Sequence, residues 1–183
     1  MKKSIIAIFL LVLFSVATAF AEAPEVPAFE GPYIVTTCGQ SPGAVMVAMS
    51  AKQGGKVAEN NNNLTAEDLL AGSYKTLIVT TGTSMKGMGA AGTDVSAEIE
   101  RCVALINAAK EAGIVVIGAH IEGMARRTDS SDEASINAVI SLADIILVIE
   151  GSDEDGFFTN YAAENQKPLI KIKDALAIGA VLQ

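Results

Sequence analysis

A segment rich in glycine and hydroxyl side chains, residues 80–94, is the part of this chain best suited to bind a ligand. Its sequence is Thr-Thr-Gly-Thr-Ser-Met-Lys-Gly-Met-Gly-Ala-Ala-Gly-Thr-Asp, which contains four glycines and one lysine. Glycine adopts backbone angles that are closed to other residues and lets a ligand approach the main chain. Hydroxyl groups and free N–H groups at the start of a helix suit an anion or a polar molecule. The segment therefore predicts a binding site, and the alternative is a flexible, solvated loop.

Two nucleotide-binding motifs come close to this segment without matching it. A P-loop has Gly-Lys-Ser or Gly-Lys-Thr directly before its helix, whereas Lys86 is followed by Gly87 and Met88. Residues 87–92 do have the spacing G-x-G-x-x-G, but they follow the third predicted strand and no ribose-binding acid supports them. We therefore predict no nucleotide cofactor.

Cys38 and His120 could form a catalytic pair of nucleophile and base. Cys38 directly precedes a predicted helix, a position that lowers the pKa of a thiol. His120 could accept its proton, with Glu122 or Asp94 orienting the imidazole, and Ser84 is a second candidate nucleophile. The alternative is a small residue that closes a strand and a hydrogen-bonded structural histidine. We assign no catalytic residue on this pattern.

The remaining charged clusters give weaker signals. Arg126 and Arg127 could clamp a carboxylate or phosphate, or they could be surface charges of an acidic chain. Residues 153–156, Asp-Glu-Asp-Gly, lack the other ligand positions of a calcium loop, so Asp155 is predicted to cap a helix. One histidine and two separated cysteines do not reach the ligand count of a zinc site. We predict no metal.

The two cysteines are predicted to be free thiols. An oxidising compartment would make a disulfide the first expectation. Cys38 should end a strand, whereas Cys102 lies eight residues beyond Asp94 in the following helix. That spacing corresponds to about 12 Å along a helix axis. A disulfide requires Cα atoms within roughly 7 Å. We therefore expect Cys102 to be a small buried apolar residue.

The first 21 residues have the parts of a secretory signal peptide. Lys2 and Lys3 are basic, residues 5–14 are apolar, and Ala-Phe-Ala at residues 19–21 is a cleavage signal. We expect cleavage near Ala21 and a periplasmic or extracellular mature chain; a retained transmembrane anchor is the alternative.

The mature chain is predicted to be strongly acidic. Removing residues 1–21 takes two lysines and no acidic residue, so the net charge falls from −8 to −10. Such a charge repels nucleic acid and anionic lipid, so we predict neither a nucleic-acid partner nor membrane contact of the mature form. We expect residues 22–32, which are rich in proline, to be a leader, and residues 33–183 to form one domain.

Strands alternate with helices along the mature chain. The predicted strands are residues 33–37, 56–58, 75–81, 114–119, 144–149 and 168–172. This alternation predicts an α/β fold, a three-layer sandwich with a mainly parallel sheet of five to six strands, flavodoxin-like or Rossmann-like. We favour the flavodoxin-like order, 2-1-3-4-5, because the second unit is short and suits a sheet edge. Predicted helix starts are Ser41 with Pro42, Thr65, and Ser130 in a capping box with Glu133.

The flavodoxin-like order brings the candidate loops together. Its first and third strands are neighbours at the switch point, where ligands bind in this class of fold. The loops that follow them are residues 38–42 and 82–94, and His120 ends the next strand. The predicted ligand-binding residues are Cys38, Gln40, Ser41, Gly82, Thr83, Ser84, Lys86, Gly87, Gly89, Gly92, Asp94, His120 and Arg126.

Four motifs carry a resemblance to a known family. They are residues 31–42 (Gly-Pro-Tyr-Ile-Val-Thr-Thr-Cys-Gly-Gln-Ser-Pro), 86–94 (Lys-Gly-Met-Gly-Ala-Ala-Gly-Thr-Asp), 118–127 (Gly-Ala-His-Ile-Glu-Gly-Met-Ala-Arg-Arg) and 155–158 (Asp-Gly-Phe-Phe). With these motifs the mature chain resembles an uncharacterised family of secreted bacterial proteins that is known only as a domain of unknown function. The resemblance implies an exported α/β domain and brings no activity or substrate.

Three functions are compatible with these residues. We favour an exported domain that binds a polar or anionic small molecule, without catalysis, and that could serve a membrane transporter or sensor. The first alternative is a hydrolase or transferase with Cys38 or Ser84 as nucleophile and His120 as base. The second alternative is a protein-interaction module, which an exposed apolar patch would favour.

Overall fold

The computed structural model describes residues 24–182, so the predicted signal peptide and its cleavage site lie outside the described residues. The strands are β1 (Tyr33–Cys38), β2 (Ala58–Asn60), β3 (Thr76–Thr81), β4 (Val115–His120), β5 (Ile145–Ile149) and β6 (Leu169–Ile172). The helices are α1 (Gly43–Gln53), α2 (Ala66–Ala71), α3 (Met85–Ala91), α4 (Val95–Glu111), α5 (Ser130–Leu142), α6 (Phe157–Glu164) and α7 (Ile178–Val181).

The six strands form one parallel sheet in the order β2-β1-β3-β4-β5-β6. The predicted α/β fold and its flavodoxin-like strand order are therefore confirmed. Strands β1 and β3 lie inside the sheet, and all their residues are buried because helices cover both faces. Strand β2 has three residues and lies at the edge, as its short unit predicted.

Successive side chains of each strand point to opposite faces of the sheet, where they pack into two apolar layers. On one face, Val35 and Ile78 pack with Ala44 and Val47 of α1 and with Ile178 of α7. On the other face, helices α2, α4, α5 and α6 cover the sheet through two clusters of aliphatic side chains and Phe158. This is a three-layer sandwich. None of the helices in residues 24–182 has the length and apolar character needed to cross a membrane.

Two predicted helix starts are wrong and one is confirmed. Thr65 caps α2 in a reciprocal capping box with Asp68. Helix α5 is capped by Asp129 rather than by Ser130, because the Asp129 carboxylate accepts hydrogen bonds from the second and third helical amides. The Ser41 hydroxyl does not cap α1. It is buried beside the Thr37 hydroxyl, and Pro42 holds the N-cap position.

The predicted long loop at residues 82–94 contains a helix, α3. Ser84 begins it by accepting a hydrogen bond from the amide of Gly87 at 3.1 Å, and Gly92 ends it in the left-handed conformation. Glycine lowers helix propensity, so the composition of the segment hid the helix. The alternative prediction of a flexible solvated loop is therefore wrong. The segment is held by the N-cap of α3 and by contact with the loop after β1.

Two glycines of α3 give a matched pair of substitutions. A Cβ atom on Gly87 would lie 2.2 Å from the carbonyl oxygen of Gln40, whereas a Cβ on Gly89 would meet no atom within 4 Å. We expect Gly87→Ala to lower the free energy of unfolding by about 1–3 kcal/mol through this clash. Gly89→Ala should raise it by about 0.5–1 kcal/mol, because alanine is the better helix former. Urea unfolding measures both; equal effects would contradict the close approach of α3 to Gln40.

Candidate functional site

The loops after β1 and β3 meet at the carboxyl edge of the sheet. Gln40 and Thr83 form an isolated antiparallel bridge, and the amide of Ser84 donates to the carbonyl of Gly39 at 2.8 Å. Gln40 has a positive φ of 55°, and its side-chain amide donates to the carbonyl of Asn62 at 3.1 Å. The structure therefore brings the two predicted ligand loops into direct contact, as the strand order required.

Other residues of the predicted binding segment have exposed or capping positions. Asp94 caps α4 by accepting from the amide of Ala97 at 2.9 Å. Lys86 and Gly89 lie on the exposed side of α3, and within residues 24–182 the Lys86 ammonium has no hydrogen-bonding partner. Their ligand-binding role stays a prediction from the sequence.

Four carboxylates of the protein bind backbone amides along this edge. Each accepts a hydrogen bond at a loop or at a helix start: Glu98 from Gly39 at 3.2 Å, Glu122 from Gly43 at 3.0 Å, Asp132 from Thr83 at 2.8 Å and Asp153 from Phe158 at 2.7 Å. Free amides at such positions would attract an external anion. The protein supplies the anions itself, so these four amides are not open to a ligand.

Asp132 accepts four hydrogen bonds. One oxygen accepts from the Thr83 amide and hydroxyl, and the other accepts from the Thr128 amide and hydroxyl. Burial alone would raise the pKa of Asp132, but these four hydrogen bonds together lower it. Asp132 therefore stays ionised and ties α5 to the loop after β3. In residues 24–182, no cluster of three or more His, Cys, Asp or Glu side chains is arranged to hold a metal ion.

The arginines of this region are paired with internal acceptors. Arg126 contacts the Glu122 carboxylate at 3.3 Å and donates to the carbonyl of Thr83 at 2.6 Å. Arg127 contacts two carboxylates, and its guanidinium lies 4.6 Å from the ring centroid of Phe157. The predicted clamp for a carboxylate or phosphate is thus already neutralised by acidic side chains, although the side chain of Arg126 remains 32% exposed.

His120 is a buried, neutral histidine with a partner on each ring nitrogen. Nε2 lies 3.2 Å from the carbonyl of Gly123, which can only accept, so Nε2 carries the proton. Nδ1 then accepts from the Thr81 hydroxyl at 2.9 Å. The ring stacks on Phe158, and burial lowers the pKa of His120 to about 4. Neither nitrogen is directed at Cys38 or Ser84.

Cys38 and Cys102 are neighbours in one buried cluster, although the helical spacing predicts that they lie apart. Both are buried free thiols, as expected. The neighbouring Cys102 side chain lowers the pKa of Cys38, and the neighbouring Cys38 side chain raises the pKa of Cys102. The spacing estimate was wrong because it assumed that β1 ends level with Asp94. The Cys38 thiol and the Gly39 amide both contact Glu98, so the end of β1 lies beside α4 beyond its first residues.

Three residues that hold the loops of the carboxyl edge in place were not predicted from the sequence. Glu98, Asp132 and Ser135 lie near the starts of α4 and α5, where acidic and hydroxyl residues are common on exposed surfaces. All three are buried, and the Ser135 hydroxyl donates to the carbonyl of Cys38. A usable signal was the periodicity. Glu98 shares the inward stripe of Cys102, and Asp132 and Ser135 share that of Ile136 and Val139.

A concave surface lies between α1 and the edge strand β2. This groove has a volume of about 520 Å³. It is lined by Val45, Ala48, Met49, Lys52, Lys56, Val57, Ala58 and Asn60. Three of its apolar side chains are exposed, Val57 at 83%, Met49 at 60% and Val45 at 42%. This groove was not predicted from the sequence, because α1 and β2 are distant from the glycine-rich segment in the chain.

Strand order and switch-point loops define this protein as a flavodoxin-like α/β domain. A family described as a domain of unknown function, DUF6305, matches residues 30–183, so the chain belongs to that family. The resemblance to a domain of unknown function is confirmed, and export stays a prediction. A comparison with curated proteins gave no match.

Solved structures give distant likenesses. A GDSL-like lipase from Bacteroides thetaiotaomicron VPI-5482 is 12% identical with a TM-score of 0.39, over 76% of this chain and 66% of that chain, just under two thirds of its length. A candidate acylhydrolase from Bacteroides fragilis NCTC 9343 is 12% identical with a TM-score of 0.36, over 80% of this chain and 71% of that chain. The fold assignment rests on the strand order itself.

Proposed function

We propose that this protein is an exported, noncatalytic domain that binds a small amphipathic anion, an apolar chain ending in a carboxylate, in the groove between α1 and β2. The observation that supports this proposal is the difference between two surfaces of the protein. The groove exposes apolar side chains beside two lysines, whereas the amides and arginines of the carboxyl edge have internal partners. The proposal of export rests on the predicted signal peptide. Delivery of the ligand to a membrane transporter or sensor stays a prediction from the sequence.

The dimensions and chemistry of the groove support a small ligand. Pockets for small molecules measure about 300–1,000 Å³ and are mostly apolar with a few polar groups, and this groove of about 520 Å³ is of that kind. Lys52 and Lys56 line it in a chain whose net charge is −8. Two ammonium groups beside exposed Met49 and Val57 favour an anionic head on an apolar body.

The side chains that could catalyse a reaction support binding over catalysis. A nucleophile needs a base within hydrogen-bond reach. The Ser84 hydroxyl caps α3, the Cys38 thiol contacts Cys102, and both nitrogens of His120 have other partners. Within residues 24–182 none of these groups pairs as nucleophile and base, so the hydrolase alternative has no assembled dyad among them.

A thermal-shift titration with dodecanoate below its micelle concentration tests this proposal. Dodecyltrimethylammonium, which has the same tail and the opposite charge, is the matched ligand. We expect dodecanoate to raise the unfolding temperature and the cation to have a smaller effect. At about one hundred times its dissociation constant, a ligand adds about 2.7 kcal/mol of stability.

Three variants separate the groove from the carboxyl edge. We expect Met49→Glu to abolish the dodecanoate shift, and a combined Lys52→Ala and Lys56→Ala variant to weaken binding by about tenfold, corresponding to about 1.4 kcal/mol. Lys86→Ala, on exposed α3, is the matched control and should bind normally. A shift that disappears only in Lys86→Ala would move the site to the predicted glycine-rich segment. No shift with either amphiphile would contradict the proposal.

A further inference from the structure

The two cysteines have a reciprocal arrangement at the end of β1. The Cys38 thiol lies 3.8 Å from the carbonyl oxygen of Glu98, which is four residues before Cys102 in α4. The Cys102 thiol lies 3.7 Å from the carbonyl oxygen of Thr37, the residue before Cys38. Each thiol therefore lies against the backbone beside the other cysteine, which places the two side chains next to each other.

The surroundings of the pair are closed to solvent and include an ion pair. Both cysteines have 0% exposure and belong to the aliphatic cluster between the sheet and α4. The Arg101 guanidinium donates to the carbonyl of Thr37 and pairs with the Glu98 carboxylate at 2.8 Å. The cation favours a thiolate at Cys38 and the carboxylate opposes it. No step of the proposed ligand binding uses either cysteine.

We propose that Cys38 and Cys102 form an intramolecular disulfide when the protein is exposed to a disulfide oxidant, and that this bond joins β1 to α4. The Cys38 thiolate attacks one sulfur of the oxidant and releases one thiol. The Cys102 thiolate then attacks Cys38 Sγ and releases the second thiol. The cysteines lose two protons and two electrons, and the oxidant disulfide is reduced to two thiols.

Burial decides when the bond can form. An oxidant cannot reach a sulfur that has 0% exposure, so oxidation takes place while the chain folds or opens. Once formed, the bond constrains the unfolded chain across the segment between residues 38 and 102, which includes α1, β2, α2, β3 and α3. The same burial protects the bond from reductants that attack exposed disulfides.

Refolding in a glutathione buffer tests the proposal. The purified protein is unfolded with reductant, refolded with a mixture of reduced and oxidised glutathione, and alkylated in denaturant. We expect a chain about 2 Da lighter than the reduced form, with no alkylated cysteine and with a linked peptide pair containing Cys38 and Cys102. We also expect the urea midpoint of the oxidised form to exceed that of the reduced form.

Single substitutions provide the control. In Cys38→Ser and in Cys102→Ser the difference in urea midpoint between oxidised and reduced samples should disappear. The mass of the wild-type chain tests the bond even where a variant fails to fold. Two alkylated cysteines after refolding, separate glutathione adducts, or disulfide-linked dimers would each overturn the proposal.

Discussion

Replacing Arg101 by methionine is expected to lower the free energy of unfolding by about 3–5 kcal/mol, the range for breaking a buried ion pair from one side. The Arg101 guanidinium lies 2.8 Å from the Glu98 carboxylate, whose side chain is only 4% exposed. It also donates to the carbonyl oxygens of Thr37 and Leu64. Methionine fills a similar volume, but it leaves Glu98 as a buried charge and both carbonyls without this donor.

Urea unfolding of three variants isolates that effect. Lys75→Met is the matched control, because the Lys75 and Glu30 side chains are 57% and 67% exposed, and such surface pairs contribute about 0–1 kcal/mol. Adding Glu98→Gln to Arg101→Met should recover part of the loss, since the uncompensated charge is gone while an amide oxygen can still accept from Gly39. If Arg101→Met costs no more than Lys75→Met, the buried pair does not stabilise the fold.

The arrangement of strands was predictable from the sequence because it depends on local patterns that repeat. Strand β5 is entirely aliphatic, β4 is apolar up to His120, and β3 has a central run of three aliphatic residues between threonines, which is the pattern of a sheet covered on both faces. The weak second unit indicated an edge position for β2, and the structure confirms it. The Thr65 cap was predictable for the same reason, since a capping box involves residues that are close in sequence.

The partners of the site residues were not predictable, because they come from distant parts of the chain. Glu122 follows β4 and binds the amide of Gly43 at the start of α1, 79 residues away in sequence. Asp132 binds Thr83 across 49 residues. A sequence pattern shows that an acid is present, but only the fold shows that it is buried against an amide. The sequence therefore could not show which amides near the predicted site have internal acceptors.

Two expectations about this region differ from the structure. The glycines of the segment after β3 favoured a loop, although Ser84 and Gly92 cap it as the helix α3. The helical spacing from Asp94 misjudged the position of Cys102, because the end of β1 lies beside Glu98 rather than beside Asp94. The close approach of α3 to Gln40 depends on the absence of a side chain at Gly87. A glycine in the sequence does not show that its backbone packs against another segment.

Acidification from about pH 7.5 to about pH 5 is expected to lower the free energy of unfolding by about 2 kcal/mol through His120 alone. Burial lowers the pKa of His120 from 6.5 to about 4 in the folded state. The hydrogen bond to Gly123 and the charge of Asp132 raise this pKa, and the charge of Arg127 lowers it further. Between these two pKa values the unfolded chain binds a proton that the folded chain does not. This stability is therefore fully present above pH 6.5 and is lost as the pH falls towards 4.

Urea unfolding of the wild type and of His120→Gln across this range measures the contribution. His120 is the single histidine of the chain, and the Asp132 and Asp153 carboxylates, whose pKa values are lowered, lose their contribution only at more acidic pH. Glutamine keeps a polar group between Thr81 and Gly123 without titrating, so the variant should have a flatter pH dependence even where it is less stable overall. Equal slopes in the two proteins would mean that His120 titrates normally in the folded state, and the hydrogen bonds from Thr81 and to Gly123 would then not hold it neutral.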